Sequence, residues 1–211
     1  MTYNELVNLS IAYADRYDIE VKDNIPSFII MTEARINRLL KTRKQSARAT
    51  TVAIDGLEYY GLPPDWAGMR DINANVFQSS GSSKSEPMHL LDPTTFENTI
   101  IKDRVYQTKG NIYTVIADQI RIHPTLSDGS SIEMVYYQKV PPLTLENQSN
   151  WLSNDNPDIY LAGMTAEISL FAKDYDAATG WYDRLKVAVG ELDNVDWQER
   201  WSGDSLQIRL G

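Results

Sequence analysis

The sequence predicts an α+β fold: a helical bundle formed from both chain ends, with an inserted β-rich subdomain and an extended C-terminal arm. Apolar residues recur at helical spacing near both ends of the chain and alternate at strand spacing between them. The 211 residues suit one large domain, or one core plus a satellite subdomain. The pattern places the helical core at 1-48 and 150-203, the β-rich insertion at 49-149 and the arm at 204-211.

Thr2 and Glu5 stand at capping-box spacing, and Leu6, Leu9, Tyr13 and Tyr17 follow at threes and fours, predicting a first helix from Thr2 to about Tyr17. Asp18 to Asn24 reads as a polar connection. Pro26 suits the first turn of a second helix, whose apolar face is Phe28, Ile29, Ile36, Leu39 and Leu40 and which fades near Arg43.

The period then changes. Thr50 to Ile54, the Asp55-Gly56 pair and Leu57 to Tyr60 read as a hairpin with Gly56 at positive φ. Further strands are predicted at Asp71 to Phe77, Pro87 to Leu91, Ile112 to Ile116, Gln119 to Ile122 and Ile132 to Gln138. Ser79 to Ser85 has no apolar area to bury and reads as a mobile hairpin tip. Asp92 caps and Pro93 opens a short helix to about Ile101.

Helical spacing returns at Asn156, read as a cap, with Pro157 and Asp158 suited to a first turn. Ile159 to Phe171 is apolar on nearly every side, and Ala162, Gly163 and Ala166 allow a neighbour close approach, so this is expected to be the most buried helix. In the last helix Ala178, Trp181, Leu185, Ala188, Leu192 and Val195 form one seam, stopped by Gly203.

Composition narrows the function. With 42% hydrophobic and 23% charged residues the chain is ordinary globular material, and its net charge of -9 disfavours a broad phosphate-binding surface. The absence of cysteine excludes disulfides, thiolate nucleophiles, zinc ribbons and iron–sulfur clusters. Met1 to Glu5 does not open a secretory signal, and the apolar run broken by Glu167 is short of the ~20 residues of a bilayer span, so a soluble protein is expected.

Charge is distributed unevenly: residues 1–50 carry +2, 51–142 carry -4 and 143–204 carry -8. Arg35, Arg38, Lys41, Arg43, Lys44 and Arg48 form a basic run with no acid among them. Either this run is a solvated face answering the acidic C-terminal helices of its own chain, or it docks an acidic partner or a neighbouring subunit.

No catalytic residue, cofactor-binding residue or metal ligand is predicted, and the expectation is no enzyme and no cofactor. His89 and His123 lie in strand segments without metal-ligand spacing. Gly81-Ser82 and Gly129-Ser130 lack the strand-to-helix context of a serine nucleophile, and no phosphate loop or dinucleotide fingerprint is present. Glu167 is the oddity, a carboxylate in an apolar helix: an acid/base candidate if buried alone, or a residue facing a solvent channel or a basic partner.

Trp181 belongs to the helical seam, whereas Trp197 and Trp201, four apart beyond it, have less of a small domain to pack on and are interface candidates. In the arm Leu206, Ile208 and Leu210 alternate with Gln207 and Arg209, a strand period with one apolar face. That face either returns to its own sheet or adds to another chain.

In order along the chain, Ile25-Pro26-Ser27-Phe28-Ile29, Thr32-Glu33-Ala34-Arg35-Ile36-Asn37-Arg38, Tyr59-Tyr60-Gly61-Leu62-Pro63-Pro64-Asp65-Trp66, Asn150-Trp151-Leu152, Asn156-Pro157-Asp158-Ile159-Tyr160-Leu161-Ala162-Gly163 and Arg200-Trp201-Ser202-Gly203 resemble the adaptor proteins of tailed bacteriophages, the head-to-tail connector subunits of short-tailed phages. The resemblance implies a structural virion protein at the head-tail junction, made in the host cytoplasm. It implies a ring, usually of twelve copies, between the portal protein and the tail or nozzle proteins, with DNA passing through the channel unbound and no membrane contact. Ser202 to Gly211, with Leu206, Gln207, Ile208, Arg209 and Leu210, become the candidate portal-binding arm. Arg35, Arg38, Lys41, Arg43, Trp197 and Trp201 are candidate inter-subunit contacts, since a head-to-tail ring needs two complementary surfaces per subunit. Functions from other classes are a tail-associated cell-wall hydrolase, which would need a cleft with two carboxylates of opposed pKa, and a soluble binding or assembly-chaperone module.

Overall fold

A computed structural model describes residues 1–77, 83–106 and 111–201. The fold is mixed α+β, the class that the periodicities predict. The chain divides into a helical unit, Met1–Lys44 with Lys139–Gly211, and a β-rich unit, Gln45–Gln138.

In the helical unit the capping box opens α1 (Tyr3–Ala14): the Thr2 hydroxyl accepts from the Glu5 N–H at 3.4 Å, and the Glu5 carboxylate accepts from the Thr2 N–H at 2.8 Å. Asp15 adopts left-handed backbone, φ 51°, and ends the helix before the expected Tyr17, leaving Tyr13 and Tyr17 exposed. The stretch read as a polar connection contains the short helix α2 (Ile19–Asp23), pinned by buried Val21. Five residues are too few to register a period. Pro26 lies in the first turn of α3 (Ile25–Leu39), which buries Phe28, Ile29 and Ile36. A 3₁₀ turn follows at Arg43–Gln45.

After the return to this unit, Asn150 caps α5 (Trp151–Asp155) reciprocally with Ser153. The apolar run forms α6 (Pro157–Phe171), buried on nearly all sides. It packs against α1, α3, α5 and α7 (Tyr175–Trp201), which makes it the hub of the helical core. Gly163 lets α3 come this close: a β-carbon there would fall well inside contact distance of the Thr32 γ-methyl. Phe28 meets Phe171 edge-on at 5.4 Å, whereas Glu33 reaches Tyr160, so α3 and α6 run antiparallel. On α7 the seam buries Ala178 and Leu185 and partly buries Trp181, Ala188 and Leu192. Val195, expected to continue it, is exposed.

The β-rich unit has two four-stranded sheets. One orders β1 (Ser46–Val52), β8 (Ser131–Gln138), β3 (Trp66–Phe77) and β4 (Ser83–Pro87), all antiparallel. The other orders β2 (Tyr59–Gly61), β7 (Gln119–His123), β6 (Ile112–Ile116) and β5 (His89–Leu90), with β5 parallel to β6. Inward residues of both sheets, among them Ile72, Ile120, Ile122 and Ile132, share one core. Asp92 caps α4 (Pro93–Tyr106), accepting from the Thr94 and Thr95 N–H groups at 3.1 and 3.0 Å. That helix runs past the expected Ile101. It seats Phe96 and Ile100 on Ile112, and Arg121 of β7 ties it down by pairing with Glu97 as well as Glu58.

Two expectations need correction. Asp55-Gly56 does turn, with Gly56 at φ 76° and the Leu57 N–H donating to the Ile54 carbonyl at 3.0 Å, but its flanks are not a hairpin. β8 offers β1 a continuous seven-residue register, from Ser46 opposite Tyr137 to Val52 opposite Ser131, and β2 pairs with β7 instead. The non-local partner satisfies more backbone than the short local one. The strand expected from Pro87 to Leu91 is divided between the two sheets: β4 ends at Pro87 and β5 holds only His89 and Leu90, with Met88 buried between them. Of the Ser79 to Ser85 stretch, Ser83 to Ser85 belong to β4, and residues 78–82 lie outside the described residues.

Candidate assembly surfaces

The facing helices α3 and α6 bury a polar layer within the helical unit. Glu33 is on the apolar stripe of α3, four residues after Ile29 and three before Ile36. Its Oε1 accepts from the Leu143 N–H at 2.7 Å and from the Tyr160 hydroxyl at 3.2 Å. The Tyr160 oxygen in turn accepts from Asn150 Nδ2 at 2.8 Å, and Asn150 Oδ1 caps α5 through the Ser153 N–H at 2.8 Å. Burial pushes the Glu33 carboxyl above its ordinary range against the lowering pull of its two hydrogen bonds, and burial together with Glu33 raises the Tyr160 phenol. Sequence reading missed Glu33, although its place between Ile29 and Ile36 was the available signal.

Glu167 has a basic partner. Its carboxylate, 4% exposed, lies 3.5 Å from the Arg35 guanidinium, which covers the Tyr182 ring at 4.0 Å from the centroid. Burial, and then the Glu167 charge beside it, push the Tyr182 phenol up to about 12. Chemically this layer joins a buried carboxylate held by hydrogen-bond donors, Glu33, to a buried carboxylate paired with a partly exposed cation, Glu167 with Arg35, across α3, α6 and α7.

The basic run is dispersed. Arg35 turns inward to Glu167, Lys44 meets Asp155 at 2.5 Å above Trp151, and Arg48 of the β-rich unit meets Glu133 at 3.0 Å. Arg43 is exposed on the 3₁₀ turn and has an interaction of its own. Arg38 and Lys41 are exposed and take part in no ion pair among the described residues. Trp197 and Trp201 are on α7, but their side chains lie outside the described residues, as do Leu206, Gln207, Ile208, Arg209 and Leu210.

Between α1, α6 and α7 the surface opens into a groove of about 530 Å³ around Trp181. Trp181 meets Tyr13 edge-on at 5.7 Å, and Arg184 covers its ring at 4.7 Å. Elsewhere His89 is exposed on β5 and His123 is half-buried on β7. Among the described residues no three or more His, Cys, Asp or Glu side chains gather into a cation site, and no helix is long and apolar enough to cross a membrane.

Comparison with known proteins adds one finding. The family model described as SU10 adaptor protein matches residues 1–208. A search of the curated proteins finds no match.

Proposed function

From the premise that this chain belongs to the SU10 adaptor protein family, we propose that it is the adaptor subunit of a short-tailed virion, forming a ring between the portal and the tail through which the genome passes. The family is one of phage head-tail adaptors, structural proteins of the virion. The observation that carries the proposal is the extent of the match, which takes in both the helical and the β-rich unit.

Three features support the finer reading. The polar contacts of Glu33 with Tyr160 and of Arg35 with Glu167 tie α3 to α6 within each subunit, which suits a core that carries load between portal and tail. A net charge of -9 per copy suits a channel that DNA must slide through without being gripped. In sequence Leu206, Ile208 and Leu210 alternate with Gln207 and Arg209, a pattern a portal cleft could cover, at roughly 1.5 to 3 kcal/mol for each side chain fully buried.

The test is co-sedimentation with isolated portal or with DNA-filled heads. The full chain is expected to pellet with both. Failure to bind either would overturn the proposed place at the head-tail junction.

A further inference from the structure

The Trp181 groove has an apolar floor, including Leu161, Val187 and Ala188, and a charged rim. Three carboxylates line it, Asp158, Asp183 and Glu191, against the cation Arg184, and Asp183 also meets Lys186 of the same helix at 3.1 Å. Val187 remains 60% exposed among the described residues. At the end of α3, Arg38 and Leu39 are exposed, Leu39 at 42%, and Lys41 is exposed just beyond it. With Arg35, Lys44 and Arg48 engaged within their own chain, Arg38 and Lys41 are the members of the basic run left for an outside partner.

The geometry points to a head-to-tail contact in which the Arg38, Leu39, Lys41 ridge of one copy seats in the Trp181 groove of the next. The chemistry matches: an exposed apolar residue close in sequence to two cations meets an apolar surface lined by carboxylates. Placement matches too. On α7, Trp181 turns to Tyr13 of α1, whereas Tyr182 turns to Arg35 of α3, so groove and ridge occupy different flanks of the same rigid unit. Two different, mutually complementary surfaces on one subunit give a heterologous contact, which closes into a ring when the rotation between copies allows. This contact rests on the proposed ring and names its interface.

A charge-swap mixing experiment tests it. Arg38→Glu with Lys41→Glu makes one variant, and Asp183→Lys with Glu191→Lys makes the other, all at exposed positions. Each variant alone is expected to keep its helical signal and thermal midpoint while its half-assembly concentration rises more than about tenfold, as like charges meet across the contact. An equimolar mixture should restore the ring, because the acidic ridge then finds a basic groove and the basic ridge an acidic one. A variant that assembles alone as wild type does, or a mixture that stays unassembled, overturns the contact. So does a groove variant that assembles normally yet loses portal or tail-protein binding, which would give the groove to that partner. Should the groove variant not fold, Leu39→Glu on the exposed ridge decides, since wild-type assembly by that protein also overturns the contact. If the wild-type chain forms no ring, the proposed function itself fails.

Discussion

The Glu167 carboxylate is held 3.5 Å from the Arg35 guanidinium, so the one acid within the buried stretch of α6 is paired with the first residue of the basic run. Removing only the cation leaves Glu167 buried and unpaired. Because Arg35 is itself 37% exposed, the loss should fall below that of a fully buried pair, at about 2 to 3 kcal/mol for Arg35→Met. Adding Glu167→Leu should recover most of it. Chemical denaturation of the single and double variants measures both effects, and a double variant no better than the single would mean that the pair is not coupled.

Gly163 sets the spacing of α3 and α6. Gly163→Ala should force its new methyl into Thr32 and cost about 1 to 3 kcal/mol despite the better helix propensity of alanine. Combining it with Thr32→Ser removes the clashing γ-methyl and should restore part of the thermal midpoint. An unchanged midpoint in the single variant would show that the helices yield freely.

Glu33 makes stability depend on pH in a direction opposite to that of a salt-bridged carboxylate. Burial raises its folded-state pKa above the ordinary value, so the folded state holds the proton more tightly than the unfolded chain. Its contribution is complete below the ordinary carboxylate range and is lost as pH rises through the raised value. Wild type should therefore lose stability relative to Glu33→Gln as pH rises from the ordinary carboxylate range upward. Unfolding midpoints of the two proteins across that range check the sign, and a gap that closes as pH rises would contradict it.

Deleting 204–211 separates portal docking from folding. The truncated protein should keep its helical signal and thermal midpoint and lose binding to portal. If it unfolds, the apolar alternation serves the chain's own fold; if it still binds normally, docking lies elsewhere.

Local signals were legible where one segment satisfies its own chemistry. Thr2 with Glu5, Asp92 with Pro93, and the apolar run of α6 all form as their spacing predicts. What could not be read depends on partners far away in sequence. The flanks of Asp55-Gly56 go to β8 and β7, and no local pattern names those strands. Glu33 and Tyr160 are separated by 127 residues, and the Arg35 and Glu167 charges cancel across the same two helices, so a basic run in sequence became dispersed in space. The groove at Trp181 shows only as an irregularity in the seam, where an aromatic meant for the core turns out to border open surface.

The central claim is a ring that joins portal to tail, and the mass of the native particle tests it most directly. Sedimentation or native mass measurement of the wild-type chain should give one large closed species of fixed copy number that dissociates with added salt, since exposed charge contacts are screened over about 8 Å at physiological ionic strength. With portal added, that species should shift to a single heavier complex. A stable monomer at all concentrations, unchanged by portal, would contradict the account.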